Sequence, residues 1–321
     1  MSAADTAARA PSAPSGGQSS SGRPAGGRPA EPPPALGHPA RVREARDLLA
    51  SVVMWAAFAL ALIPLVWILW TVVSKGYHLL SEGQWWTNSQ KGITSRREGG
   101  GAVHAIQGTL VQGLTTALIS VPIGVMTAIY LVEYGRGRLA KAVSFMVDIL
   151  TGIPSIVAGL FVYAVWVTTF HFQRVGFAVC LSLVLLMIPV IVRSTEEMLK
   201  LVPNELREAS YALGVPKWKT IFKIVLPTAF SGIVTGILLG LARVMGETAP
   251  LLILGPYSKS IATDLFSGYM ATLPTMINQD RTESLQPAVD RVWAAALTLI
   301  LLVLLLNVAG RLVARFGSVK K

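Results

Sequence analysis

The chain has 321 residues, of which 52% are hydrophobic and only 14% charged; a soluble globular domain carries about 25% charged residues, so an ordinary water-soluble protein is excluded and membrane spans are expected. The formal net charge is +11, which in a soluble protein would suggest a nucleic-acid partner; here the basic residues flank apolar runs, so topology accounts for them and no nucleic acid is expected. The one cysteine, Cys180, lies inside an apolar run, which leaves neither an internal disulfide nor a cysteine-based metal site.

Residues 1–40 are rich in Pro, Gly, Ala and Ser, and the stretch from Ala10 to Ala40 has almost no large apolar residue. This composition predicts a disordered tail, and no secretory signal is expected because no apolar stretch lies near Met1. Residues 41–321 read as one all-α membrane domain of six spans. These are Leu49–Val73, Gly108–Val132, Ala142–Val167 (interrupted by Asp148), Val175–Val192, Thr228–Leu254 (with Arg243 and Glu247), and Val292–Gly310. A hydrocarbon core of about 30 Å requires ~20 helical residues. Hydrocarbon offers the backbone no hydrogen-bond partner, so each span must be helical.

Lys and Arg near the span ends set the orientation. Fifteen lie on one side: Arg41, Arg43 and Arg46, then Arg136, Arg138 and Lys141, then Lys200, Arg207, Lys217, Lys219 and Lys223, and finally Arg311, Arg315, Lys320 and Lys321. The other side holds eight, so both termini are expected in the cytoplasm. The longest cytoplasmic loop is Ser194–Leu226, and the longest external loops are Ser74–Gln107 and Gly255–Arg291. Trp85 and Trp86 suit either the headgroup level or packing within their loop.

The cytoplasmic loop predicts a short helix from an Asn204 N-cap, with Glu205 and Glu208 in the first turn and Leu206, Ala209, Ser210 and Leu213 on one face. Gly214 suits a left-handed C-terminal position, and Pro216 blocks continuation. A second short helix follows, with Trp218, Ile221, Phe222 and Val225 apolar. The spacing Glu208-Ala209-Ser210, three residues, Gly214, nine residues, Ile224, one residue, Leu226-Pro227 resembles the EAA signature of ABC importer permeases, departing only in Ser210 where the signature has alanine. The resemblance implies a type I importer permease fold in a bacterial plasma membrane, surrounded by membrane lipid. It also implies that Glu208, Ala209, Ser210, Gly214, Leu226 and Pro227, in the coupling loop 194–227, dock a separate ATPase. No G-x-x-x-x-G-K-[ST] string occurs in the chain, so no catalytic residue and no cofactor are expected here. ATP and Mg²⁺ are expected in two copies of the partner ATPase.

In the fifth span Gly232, Gly236 and Gly240 recur at i+4, a stripe that admits a close helix neighbour. Arg243 and Glu247 follow at i+3 and i+4 and are expected to continue that stripe into the bundle interior. Ionisable residues at this depth cost at least about 2.5 kcal/mol each, which points to function over a bare i, i+4 salt bridge. The string GLARVMGETAPLL, with TGIPSIVAGLFVY from Thr151 and IPVIVRSTEEML from Ile188, is similar to the A-type permeases of phosphate-specific transporters, over roughly Gly101 to the C-terminus.

That similarity implies a binding protein delivering phosphate and a path shared with a homologous second permease as a heterodimer. Arg193 and Arg243 are implied as guanidinium donors to the anion, with Glu247 orienting Arg243. Asp148 receives no role. The alternative substrate is another oxyanion such as a phosphonate. A secondary carrier would have no ATPase to dock through an EAA loop, and a sensor would need a soluble signalling domain.

Overall fold

The computed structural model describes residues 41–317, and the expected tail lies outside them. The described residues divide into two units at Leu60, one up to it and one from Ala61 onward. Among the described residues every regular element is helical. In chain order they are α1 (Arg41–Ser81), α2 (Gly83–Thr87), α3 (Val103–Ile129) running into a π-helical turn at Tyr130–Tyr134, α4 (Gly137–Gly152), and α5 (Ser155–Val162) running into a second at Tyr163–Thr169. Then come α6 (Gly176–Lys200), α7 (Asn204–Ala212), α8 (Lys217–Thr220) with a third π-helical turn at Ile221–Val225, α9 (Leu226–Met245), α10 (Ala249–Leu254), α11 (Leu273–Asp280) and α12 (Gln286–Gly317). Among the described residues, five stretches are long and apolar enough to cross a membrane as single helices, in α1, α3, α6, α8–α9 and α12.

Two of the expected spans are broken. The third is a pair, α4 and α5, bent by 107°. Pro154 marks the break: its ring disfavours the helical conformation in the residue before it, and Ile153 is extended at φ −72°, ψ 127°. The fifth expected span ends as a helix at Met245 and resumes only at Ala249, leaving Glu247 in the link. Gly246 tolerates the break, and Pro250 restarts a helix at its first turn. The fourth span runs further than expected, to Lys200, so Arg193 lies well inside α6.

Helix α6 is the hub. It packs against α3, α4, α5, α9 and α10, and 67% of its most apolar stretch is buried, against 22% for α12. Lipid tails are as apolar as leucine, so close fit and small residues decide which helices meet. The glycine stripe of α9 shows this directly. A Cβ built on Gly232 would lie 2.2 Å from Met198 Sδ, and one on Gly236 2.2 Å from Ser194 Oγ.

At one end of the bundle, Trp85 is buried and its Nε1 donates to Thr298 Oγ1 at 2.9 Å, while Trp86 is exposed. Packing within the protein therefore holds for Trp85. Asp280 and Arg291 form a buried pair at 3.3 Å nearby. In the loop after α10, burial followed by the charge of Asp280 pushes the Tyr257 phenol up. It stays a donor, giving its proton to Gln90 Oε1 at 2.8 Å.

Candidate functional site

Arg243 does not continue the glycine stripe. The four-residue ridge through Gly232, Gly236 and Gly240 continues to Val244, which is buried. Arg243 belongs to the next ridge, with Ser231, Thr235 and Leu239, all exposed, and Thr228 lies exposed one turn earlier. The expectation of a bundle-interior arginine is corrected accordingly: its side chain is 55% exposed. The hydroxyls of Thr228 and Thr235 are satisfied by their own helix, donating to Ile224 O at 2.6 Å and Ser231 O at 2.8 Å. The outcome is a flank with polar groups at Thr228, Ser231, Thr235 and Arg243 inside a membrane helix. Ser231 and Thr235 were legible at i+4 spacing, but small hydroxyls in membrane helices are routine and gave no separate signal.

Glu247 is only 17% exposed, and its Oε1 stands 3.8 Å from Arg243 Nε. That is near enough for charge compensation and too far for a hydrogen bond. Breaking the helix at Gly246 swings Glu247 toward a small cavity of about 10 Å³ lined by Thr109, Gln112, Leu183 and Thr272 among others. Gln112 is buried and its Oε1 has no partner.

Arg193 is committed elsewhere. Its guanidinium donates to Asp148, to Glu196 Oε2 at 2.6 Å, and to Ser144 at both Oγ (3.1 Å) and the carbonyl (3.3 Å). Asp148, which received no role from the sequence, thus joins Ser144 in tying α4 to α6. Arg193 and Arg243 differ in kind: the first is hydrogen-bonded to its carboxylates, and the second has a carboxylate at 3.8 Å, beyond hydrogen-bond reach.

The loop after α6 folds as two short helices at a fixed angle. Helix α7 ends in a Schellman motif: Gly214 N–H donates to Tyr211 O at 2.9 Å and Val215 N–H to Ser210 O at 3.2 Å, with Gly214 at φ +74°. The expected Asn204 cap is not made. Pro203 is the N-cap and Asn204 is already helical; its side chain instead accepts from Arg207 at 3.4 Å. Glu208 and Ala209 are exposed, Leu213 is 83% exposed, and Trp218 and Phe222 are exposed as well. Ser210 points the other way. It is buried, with its hydroxyl 2.8 Å from that of Thr220 on α8. Leu226 and Pro227 are half-buried at the start of α9, where Leu226 packs on a cluster with Ala128, Val192 and Leu199. The signature residues therefore divide into an outer set (Glu208, Ala209), a turn (Gly214) and an inner set (Ser210, Leu226, Pro227).

Residues 120–316 match the family described as "Binding-protein-dependent transport system inner membrane component". The chain belongs to that family. Within it, the phosphate transport system permease protein PstA 1 of Mycobacterium tuberculosis (strain H37Rv) is 52% identical over 279 residues, covering 87% of this chain and 90% of that protein. The PstA of Yersinia pestis is 41% identical over 273 residues, covering 84% and 90%. These relatives place the chain among the PstA-type permeases, multi-pass inner-membrane components of transport systems with further subunits.

Two solved structures share the fold of this permease family. One is a bacterial ABC transporter involved in the import of alginate, with TM-score 0.58, 15% identity, and 86% and 98% of the two chains covered. The other is the MetNI methionine ABC transporter in an inward-facing conformation, with TM-score 0.56, 21% identity, and 68% and 96% covered. The signature loop sits on such a permease as the α7–α8 element.

Proposed function

We propose that this chain is the membrane permease subunit of an ATP-driven importer of inorganic phosphate. The observation that carries the reading is the uncovered polar flank of α9. A guanidinium 55% exposed within a membrane helix needs either a second subunit or a water-filled path against it, since lipid does not solvate charge. The flank then forms one wall of a path whose other wall comes from a homologous second permease. Identity of 52% with a phosphate transport permease supports phosphate as the cargo. Arg243 suits it chemically: a planar fork of N–H donors pairs with phosphate oxygens, and Glu247 at 3.8 Å offsets its charge so that the anion is not held too tightly to leave. Arg193 contributes to the same path when its carboxylate partners let go.

The exposed surface of α7, with Glu208, Ala209 and Leu213, docks the ATPase. The ATPase is present as two copies and holds ATP and Mg²⁺. A binding protein delivers phosphate at the opposite face, and both termini share the ATPase compartment.

Uptake of radiolabelled phosphate in cells that depend on this permease tests the assignment. Arg243→Ala, at normal membrane level, is expected to lower uptake at least about tenfold, the scale of one lost hydrogen bond to a charged group. Arg243→Lys keeps the charge without the fork and is expected to fall between. Unchanged uptake in Arg243→Ala would remove Arg243 from the path.

A further inference from the structure

Helix α7 has few holds on the membrane helices. Of its nine residues, only Ser210 is buried and only Arg207 is part-buried. Ser210 ties α7 to α8, so the pair forms one wedge. Arg207 is the remaining side-chain anchor, and it is saturated. Its Nε and Nη2 donate to Glu133 Oε1 at 3.1 and 3.0 Å, Nη2 to the carbonyl of Leu199 at 2.9 Å, and Nη1 to that of Val202 at 2.6 Å.

Glu133 lies in the π-helical turn that ends α3, and the ion pair is shielded, with side-chain exposures of 13% and 5%. The second helix of the wedge grips the same turn. Lys217 of α8 donates to the backbone carbonyl of Glu133 and stands 4.7 Å from the ring centre of Tyr134. Both halves of the wedge therefore converge on two consecutive residues of the turn into which α3 runs.

At its other end, α3 carries Thr109 and Gln112 to the cavity that Glu247 lines. One helix thus joins the wedge to the charged break after α9.

We propose that Glu133 is a positioning residue: held by Arg207 and Lys217, it passes displacement of the α7–α8 wedge to α3 and so to the neighbourhood of Glu247. This rests on the importer reading above. A bare anchor would need only the carbonyls of Leu199 and Val202; the grip by two helices on the turn continuous with α3 makes α3 move when the wedge moves.

The test uses the full chain assembled with its partner subunits in proteoliposomes, with inorganic phosphate as the probe. Removing one member of a shielded pair strands the other charge, whereas replacing both with apolar residues leaves folding near neutral. The variant is therefore the double Glu133→Met/Arg207→Met. Assembly and ATP hydrolysis are expected to stay within about twofold of wild type while phosphate moved per ATP falls at least about tenfold, a coupling loss of ordinary size between sites. Lys217→Met, at an exposed position, is expected to give the same split at smaller amplitude and covers the case in which the double variant fails to assemble. Uptake and hydrolysis falling together would reduce the junction to a scaffold for docking, and both unchanged would remove it from coupling; either result overturns the proposal. A wild-type complex that hydrolyses ATP and moves no phosphate would instead overturn the importer reading, and shows itself before any variant is made.

Discussion

Ser210 stands where the family's signature carries alanine, and its hydroxyl meets Thr220 inside the loop, 2.8 Å away. Ser210→Ala would leave the Thr220 hydroxyl buried with only a long 3.4 Å contact to Pro216 O. The loss is expected to be about 1 kcal/mol, which appears as roughly fivefold faster amide exchange across 209–215 with the rest of the molecule unchanged. The sequence placed Ser210 on the docking face because 3.6-residue periodicity groups it with Ala209 and Leu213. Periodicity cannot tell which edge of that face turns inward. Arg243 was misplaced for a related reason: i+3 and i+4 both count as one face, but the tight ridge of this helix follows i+4 and leads to Val244. Asp148 was out of reach altogether. It meets Arg193 across 45 residues of chain, and no local spacing encodes that pairing.

Among the elements, every expected span has a counterpart, because hydrocarbon thickness demands long apolar runs and such runs are conspicuous. The breaks at Pro154 and Gly246 escaped because hydropathy averages over a window, while a kink is decided by one or two residues. The glycine stripe was legible because only a missing Cβ lets two helices approach so closely. At Gly236 an added Cβ would sit 2.2 Å from Ser194 Oγ and 2.6 Å from its Cβ. Gly236→Ala is therefore expected to destabilise by about 1–3 kcal/mol, the usual cost of overpacking. Adding Ser194→Gly removes both clashing atoms and is expected to recover most of the loss. Thermal unfolding of the purified complex, followed for the single and double variants, checks this. Equal melting of wild type and Gly236→Ala would show that α6 and α9 are further apart than described.

For the molecule as a whole, fifteen basic residues against eight predict that the α7–α8 wedge faces the cytoplasm, the side where ATP is available. Leu213 is 83% exposed at the wedge tip, and the native Cys180 is buried. In Leu213→Cys a membrane-impermeant maleimide is expected to label inverted vesicles and to leave intact cells unlabelled. Labelling in intact cells would reverse the topology.

The uncovered ridge of α9 also bears on how the protein is made. On the proposed reading, a lone copy in the bilayer exposes Arg243 and a row of hydroxyls where a second subunit would sit, at a cost of at least about 2.5 kcal/mol for the arginine. Such a copy is marked as unfinished by its own surface. On the proposed pairing, supply of the two permease chains must be matched, and an unmatched chain carries the feature by which membrane proteases would recognise it as surplus.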